Sequence, residues 1–352
     1  MKQPAESLFP LGDVQSVRSL MDRWEIPIIV SITPDAAFPE AIENAMIVGD
    51  CMEVMHRVPE ASLDLIYVDP PFCTGKSRKG ESLPLGPGGR IRGEANGRTY
   101  IFTDAWEGGL AHYLEWLQPR LEEMARLLKP TGALMVHLDG NASHYVKVML
   151  DQMLGQDRFI NEIIWHYKSG GHPRKRLARK YDSILWYSRG KSYTYHPEAA
   201  ALPRNRCRLC GEEQERCNHM KRQEDENGRP VIFIKSAGKV YQYYEDDPAP
   251  PCDVWLDIGH LHQRDPERTG YPTQKPLKLM KRLVALASNP GDVVADFFAG
   301  SGTTLIAAAL LNRKWVGCDA RADALDVAAS RFAHHALRFN SLKGDERKAE
   351  RR

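Results

Sequence analysis

Two short segments of this 352-residue chain combine residue types that can do chemistry. The first is Asp69-Pro70-Pro71-Phe72, which directly follows an apolar, β-branched run at 63–68. Its two prolines fix the backbone and remove two N–H donors, leaving carbonyl acceptors beside a carboxylate and an aromatic ring. That set suits a planar heterocycle bearing an amino group. Asp69 and the Pro70 carbonyl can accept its two N–H hydrogens while Phe72 covers the ring face. A plain Pro-Pro turn leaving a strand is the competing reading.

The second segment is Asp296-Phe297-Phe298-Ala299-Gly300-Ser301-Gly302-Thr303-Thr304, between an apolar run and a helical pattern. Gly300 and Gly302 allow tight turning and close ligand approach, and a helix N-terminus offers free N–H groups to an anion. No lysine follows the second glycine, which excludes a P-loop, and the third glycine of the dinucleotide fingerprint is missing. Asp319 closes the next apolar run, about 20 residues on, where an acid can bind ribose hydroxyls. A nucleoside cofactor without phosphates, whose carboxylate meets the glycine turn, fits this arrangement.

Strands and helices must hold both segments at one place. Apolar runs at 46–48, 63–68, 133–138, 159–167, 293–296 and 315–318 read as strands, and 3.6-residue periodicity predicts helices over 110–128, 142–154, 277–288, 302–312 and 322–334. Residues 75–97, rich in Gly, Pro and charge, read as a long loop. The rhythm is lost over 168–270 and then returns. Strands alternating with helices on both sides of an irregular stretch predict an open, mostly parallel α/β sheet interrupted by a second module.

Composition is that of a globular enzyme: 42% hydrophobic, 27% charged, net charge +2. No apolar run approaches the roughly 20 residues of a bilayer span, the N-terminus lacks a secretion-signal pattern, and seven cysteines argue against a disulfide scaffold. A cytoplasmic protein without a membrane partner is expected. The modest net charge conceals a local excess of +9 over 168–222. Trp165, Tyr167, Tyr181, Trp186, Tyr187, Tyr193 and Tyr195 lie within or just before it, a composition that fits a nucleic-acid surface or a solvated region with core aromatics. Cys207, Cys210, Cys217 and His219 offer four ligands for a structural zinc, with reduced thiols in an irregular insertion as the alternative.

Four ordered segments carry a family resemblance: Gly49-Asp50-Cys51, Asp69-Pro70-Pro71-Phe72-Cys73-Thr74-Gly75-Lys76, Tyr271-Pro272-Thr273-Gln274-Lys275-Pro276, and Phe298-Ala299-Gly300-Ser301-Gly302. Together, over about 46–332, the chain resembles the S-adenosylmethionine-dependent amino-group DNA methyltransferases, in the beta arrangement, where the catalytic corner precedes the cofactor loop. Phe297 departs from the proline usual after the first Asp of that loop. The resemblance implies a Rossmann-like, doubly wound, mostly parallel sheet. It divides the chain into an extension at 1–44, a catalytic half at 45–167, a target-recognition insertion at 168–270, a cofactor half at 271–335 and a charged tail at 336–352.

It also implies methyl transfer from S-adenosylmethionine to a base flipped out of double-stranded DNA. Asp rather than Ser at position 69 resembles adenine-N6 members, with cytosine-N4 as the alternative. A non-catalytic DNA-binding protein on the same fold is the reading from another class. Asp69, Pro70, Pro71 and Phe72 would form the catalytic corner. Phe298, Gly300, Gly302 and Thr303 would hold the methionine moiety, within a loop that includes Asp296, Ala299 and Ser301. Asp319 would bind the ribose, Asp50 the adenine side, and Lys275 would order the cofactor's carboxylate end or the adjoining loop. Helix capping or a surface ion pair are the competing roles for Asp50 and Lys275. Arg174, Lys175, Arg176, Arg179 and Lys180 are the phosphate-contact candidates. A homodimer and a partner restriction enzyme are family-level expectations.

Overall fold

The computed structural model describes residues 29–31, 43–81, 99–168, 173–203, 221–236, 239–244, 247–249, 251–262, 264–335 and 337. Nine strands form its central sheet: β1 (Ile29–Ser31), β2 (Ala45–Val48), β3 (Leu63–Val68), β4 (Leu128–Leu138), β5 (Phe159–His166), β6 (Tyr181–Ser188), β7 (Val254–Trp255), β8 (Val293–Asp296) and β9 (Lys314–Asp319). Their order across the sheet is β1-β2-β9-β8-β3-β4-β6-β5-β7. Every neighbouring pair is parallel except β4 with β6 and β6 with β5.

A parallel sheet needs both faces covered, and its strands here supply apolar side chains to both. Leu65, Tyr67, Met135 and Val294 enter one core, while Ile66, Val68, Leu134, Val136 and Ala295 enter the other. Helices α1 (Cys51–Met55), α2 (Gly109–Leu127) and α3 (Ser143–Leu154) cover the second core, through residues such as Val54, Leu117, Leu121 and Val146. Helices α4 (Leu277–Ala287), α5 (Thr303–Leu310) and α6 (Ala322–His334) cover the first, through Leu283, Ile306 and Ala328. The chain leaving β3 therefore passes to one face and the chain leaving adjacent β8 to the other. Such a divergence opens a crevice at the carboxyl ends of the strands, where open α/β sheets bind ligands. Asp64 ties the two strands at their opposite ends, its Oδ2 accepting from Val293 N–H at 2.9 Å and Lys129 Nζ at 2.7 Å.

Three features differ from the sequence expectations. The central sheet continues past residue 167, because β6 lies inside the stretch assigned to the insertion and pairs with both β4 and β5. Its Ile184, Leu185, Trp186 and Tyr187 are buried, and basic flanks hide that apolar run in a compositional count. Trp165 is likewise core, so the aromatics of this region divide between core and surface, where Tyr181, Tyr193 and Tyr195 stand. The loop expected at 75–97 opens instead with a strand, Lys76–Glu81, antiparallel to Thr99–Asp104, and its residues 82–97 lie outside the described residues. The β-favouring Thr-Tyr-Ile-Phe-Thr run templates a charged partner with no pattern of its own. A three-stranded antiparallel sheet, Lys221–Glu224, Pro230–Ser236 and Lys239–Tyr244, lies in the later part of the stretch expected to be an insertion.

Candidate active site

Strand β3 ends at Val68 and delivers Asp69 to the crevice, while β8 ends at Asp296 next to it. Asp69, Pro70, Pro71 and Phe72 line a cavity of about 220 Å³ together with Asp296, Phe298, Ala299, Gly300, Ser301, Thr303, Asp319 and Lys275. The two segments singled out in the sequence thus face one space. Gly302 and Asp50 are not among the lining residues.

The Asp69 carboxylate is shared unequally. Its Oδ2 pairs with Lys275 Nζ, whereas Oδ1 is buried with no hydrogen-bond partner among the described residues. Phe72 stacks on the His137 ring, with centroids 5.9 Å apart at 23°. His137, fully buried on β4, bridges Tyr67 Oη at 2.8 Å through Nδ1 and Asp182 at 3.3 Å through Nε2. Burial, reinforced by the charges of Asp69, Asp296 and Asp182, holds the Tyr67 phenol far above its usual range. The Asp182 carboxylate can only accept, so Nε2–H donates to it, and the Tyr67 hydroxyl shares the other hydrogen bond with Nδ1. Burial pushes the Asp182 carboxyl up, but His137, Lys275 and the Tyr167 hydroxyl, which donates at 2.9 Å, outweigh it and hold the group below its ordinary value.

The corner is strapped from behind by Asp104, which is 3% exposed. Its carboxylate accepts from Cys73 N–H at 2.8 Å, Thr74 N–H at 2.9 Å and Thr74 Oγ1 at 2.7 Å. These bonds hold Cys73 at φ +57°, a left-handed conformation uncommon for a side-chain-bearing residue.

On the cofactor side, Asp296 Oδ1 accepts from Phe298 N–H at 3.0 Å, fixing the turn out of β8. Burial raises its pKa to about 7 against the hydrogen bonds from Thr304 and Phe298, and the charges of Asp69 and Asp319 add to the rise. Gly300, at φ +49°, donates its N–H to Asp319 Oδ2 at 2.8 Å, and Arg321 N–H donates to Oδ1 at 2.9 Å. Burial raises the Asp319 carboxyl and those two N–H groups oppose the rise. Gly302 takes φ +73° at the N-cap of α5, where a Cβ would lie 2.8 Å from Ala328 Cβ. The donor set suits a nucleoside with a carboxylate: a glycine turn against a helix N-terminus, a carboxylate at the neighbouring strand end and a Phe298 ring on the wall.

Arg331, 3% exposed on α6, braces the loop. It donates to Ser301 O at 2.9 Å, Thr303 Oγ1 at 2.6 Å and Glu267 Oε1 at 3.1 Å. Burial pushes its pKa down to about 10, opposed by Glu267. Asp50 takes up the capping and ion-pair roles named as its alternatives. It caps α1 by accepting from Met52 N–H at 2.8 Å and pairs with Arg120 at 3.2 Å. Lys275 is engaged with Asp69 and Phe72.

A second cavity, of about 530 Å³, adjoins the first and shares Phe72, Tyr271, Thr273, Gln274 and Lys275 with it. Arg176 and Arg179 line its rim, and Arg179 donates to Asn141 Oδ1 at 2.6 Å. Arg174 and Lys175 are exposed on the same segment, with Lys180 half-buried at its end. Cys207, Cys210, Cys217 and His219 lie outside the described residues. Among the described residues no group of three or more His, Cys, Asp or Glu side chains could hold a metal, and no helix is long and apolar enough to cross a membrane.

Sequence reasoning missed the His137–Asp182 pair, the Arg331 brace and the partner of Lys275. A histidine within the apolar strand Ala-Leu-Met-Val-His-Leu was the available signal, since a buried polar group demands a partner.

Residues 63–330 match the N6/N4 methyltransferase family described as DNA methylase. The chain is 29% identical to a type II methyltransferase, M.EcaI, of Enterobacter cloacae, over 83% of this chain and 70% of the relative. It is 25% identical to the DNA adenine methyltransferase YhdJ of Escherichia coli K12, over 82% of each. Among solved structures, a putative DNA modification methylase from Thermus thermophilus, complexed with S-adenosyl-L-methionine, superposes with a TM-score of 0.51 at 22% identity, covering 85% of this chain and 98% of that one. The cytosine-N4-specific PvuII DNA methyltransferase gives 0.51 at 17% identity, covering 82% and 85%. With its Asp69-Pro70-Pro71-Phe72 corner and its glycine turn facing one crevice, the chain belongs to the N6/N4 DNA methyltransferase family and is a DNA methyltransferase.

Proposed function

We propose that the protein methylates the N6 amino group of adenine in duplex DNA, with S-adenosylmethionine as donor. The observation that carries this reading is Asp69 Oδ1, buried in the wall of the first cavity with no hydrogen-bond partner among the described residues, beside Phe72 and Lys275, which line both cavities. An exocyclic amine is a poor nucleophile because its lone pair is delocalised into the ring. One N–H donating to Asp69 Oδ1 and the other to the Pro70 carbonyl favour a pyramidal nitrogen, whose lone pair is then free to attack. Phe72, backed by His137, covers the base. S-Adenosylmethionine supplies an electrophilic methyl group when bound. The protein's share is orientation, which converts an encounter into a near-attack geometry. The target base leaves the duplex at a cost of a few kcal/mol and enters the second cavity, with Arg176 and Arg179 on the flanking phosphates.

Gly300, Ser301, Gly302, Thr303 and the α5 N-terminus would meet the donor's amino-acid end, and Asp319 its ribose. Asp69 in the first position of the corner supports adenine over cytosine N4, as does the adenine methyltransferase among the relatives. Action beside a restriction enzyme, as for type II methyltransferases, assembly as a homodimer and a cytoplasmic location complete the reading. Zinc at Cys207, Cys210, Cys217 and His219 is decided by metal analysis of protein purified without chelator. The function is tested by incubating the protein with unmethylated genomic DNA and S-adenosylmethionine and analysing digested nucleosides by mass spectrometry. N6-methyladenine supports the proposal, N4-methylcytosine overturns the base choice, and neither product overturns the DNA substrate.

A further inference from the structure

The geometry points to Lys275 as a positioning residue for the Asp69 carboxylate, and not as a ligand of the cofactor's carboxylate end. The inference rests on the proposed methyl transfer at this corner. Lys275 Nζ pairs with Asp69 Oδ2, with side chains only 10% and 13% exposed. It also lies 5.1 Å from the Phe72 ring centroid, within cation–π range, and so is bound to both functional side chains of the corner.

Its backbone is fixed from both sides. Gln274 accepts from Thr269 N–H at 2.9 Å and donates to Glu267 O at 2.8 Å, while Glu267 Oε1 accepts from Leu277 N–H at 2.8 Å. Thr273, just before, is held at φ +70°, a conformation that persists only when its surroundings over-determine it. A lysine so placed cannot reach toward the α5 N-terminus without leaving a buried carboxylate unpaired, which is strongly unfavourable. By occupying Oδ2, Lys275 fixes the carboxylate plane and leaves Oδ1 as the acceptor for the amine. After transfer, the cationic methylated amine loses its extra proton through Oδ1 to solvent.

The test compares wild type with Lys275→Met and Lys275→Arg by single-turnover methylation of DNA and by direct titration of S-adenosylmethionine. Lys275→Met is expected to lower the methyl-transfer rate about 100-fold, the scale of losing one preorganised group, with cofactor Kd changed less than threefold. Lys275→Arg is expected to recover at least a tenfold part of that loss. A tenfold weaker cofactor Kd with the rate intact at saturating cofactor would overturn the inference, as would an unchanged rate. If wild type forms no methylated nucleoside, the proposed function fails instead, and the pair is then read by urea unfolding. Lys275→Met should shift the midpoint in wild type and leave it nearly unchanged in an Asp69→Asn background. Equal shifts in both backgrounds would overturn the pairing.

Discussion

Replacing Gly302 by alanine perturbs the cofactor loop at one defined point. The residue sits at φ +73°, ψ +19°, a left-handed conformation that costs a side-chain-bearing residue about 1–2 kcal/mol. The added Cβ would lie 2.8 Å from Ala328 Cβ and 3.5 Å from Ala328 Cα. Ala328 is fully buried on α6 and its methyl has no rotamer with which to yield. Overpacking of this kind costs about 1–3 kcal/mol. Gly302→Ala should therefore lower the unfolding free energy by about 2–5 kcal/mol in urea denaturation without cofactor, and weaken S-adenosylmethionine binding because α5 must shift at its first turn. Ala328→Gly relieves the overlap but not the backbone strain. The double variant should thus show a favourable coupling of about 1–3 kcal/mol relative to the sum of the single changes. Additive effects, or a Gly302→Ala cost below about 0.5 kcal/mol, would refute this account of the loop.

Asp69→Asn should lower turnover by about 10²–10³, the scale of removing one preorganised electrostatic group, with cofactor affinity kept within a few-fold in direct titration; retained turnover would count against the corner as the reacting centre. Arg331→Met strands Glu267 and removes the donors to Ser301 and Thr303, and should destabilise the fold by about 3 kcal/mol, at the low end for a broken buried pair, as read by denaturant unfolding. Asp296 has a folded-state pKa raised to about 7, so the native state holds its proton more tightly than the unfolded chain. Its contribution is fully present below the ordinary carboxylate value and is lost as pH rises from about 4 to about 7. The difference in unfolding free energy between wild type and Asp296→Asn should fall across that window, and a flat difference would contradict the raised pKa.

Much of the architecture was legible because alternating apolar side chains feed both cores, as in β3, β4 and β8, and because the sheet rule places ligands at strand carboxyl ends. The corner and the glycine turn were legible for the same reason, each sitting directly after such a strand. What stayed hidden has physical causes. Strand β6 is apolar for only a few residues between basic flanks, so composition over a longer window masks it. The Lys76–Glu81 strand has no pattern and depends on its partner. Lys275 and Asp69 are 206 positions apart, and only the crossing of α4's leading segment over the β3 end joins them. For Asp50 the structure shows the competing role named from the sequence, a helix cap whose other oxygen pairs with Arg120 of α2.

The Asp104 strap gives the corner a kind of insulation. Residues 73–75 and Asp104 close upon each other through backbone and carboxylate bonds, with Gly75 N–H donating to Asp104 O at 2.9 Å. Everything between the two hairpin strands therefore enters and leaves through one clasp. Lengthening a loop beyond such a clasp adds only about 0.6 kcal/mol per doubling. A change in the length of the chain joining Glu81 to Thr99 thus reaches Asp69-Pro70-Pro71-Phe72 along the backbone only through that clasp, which gives a protein engineer one short set of bonds to preserve.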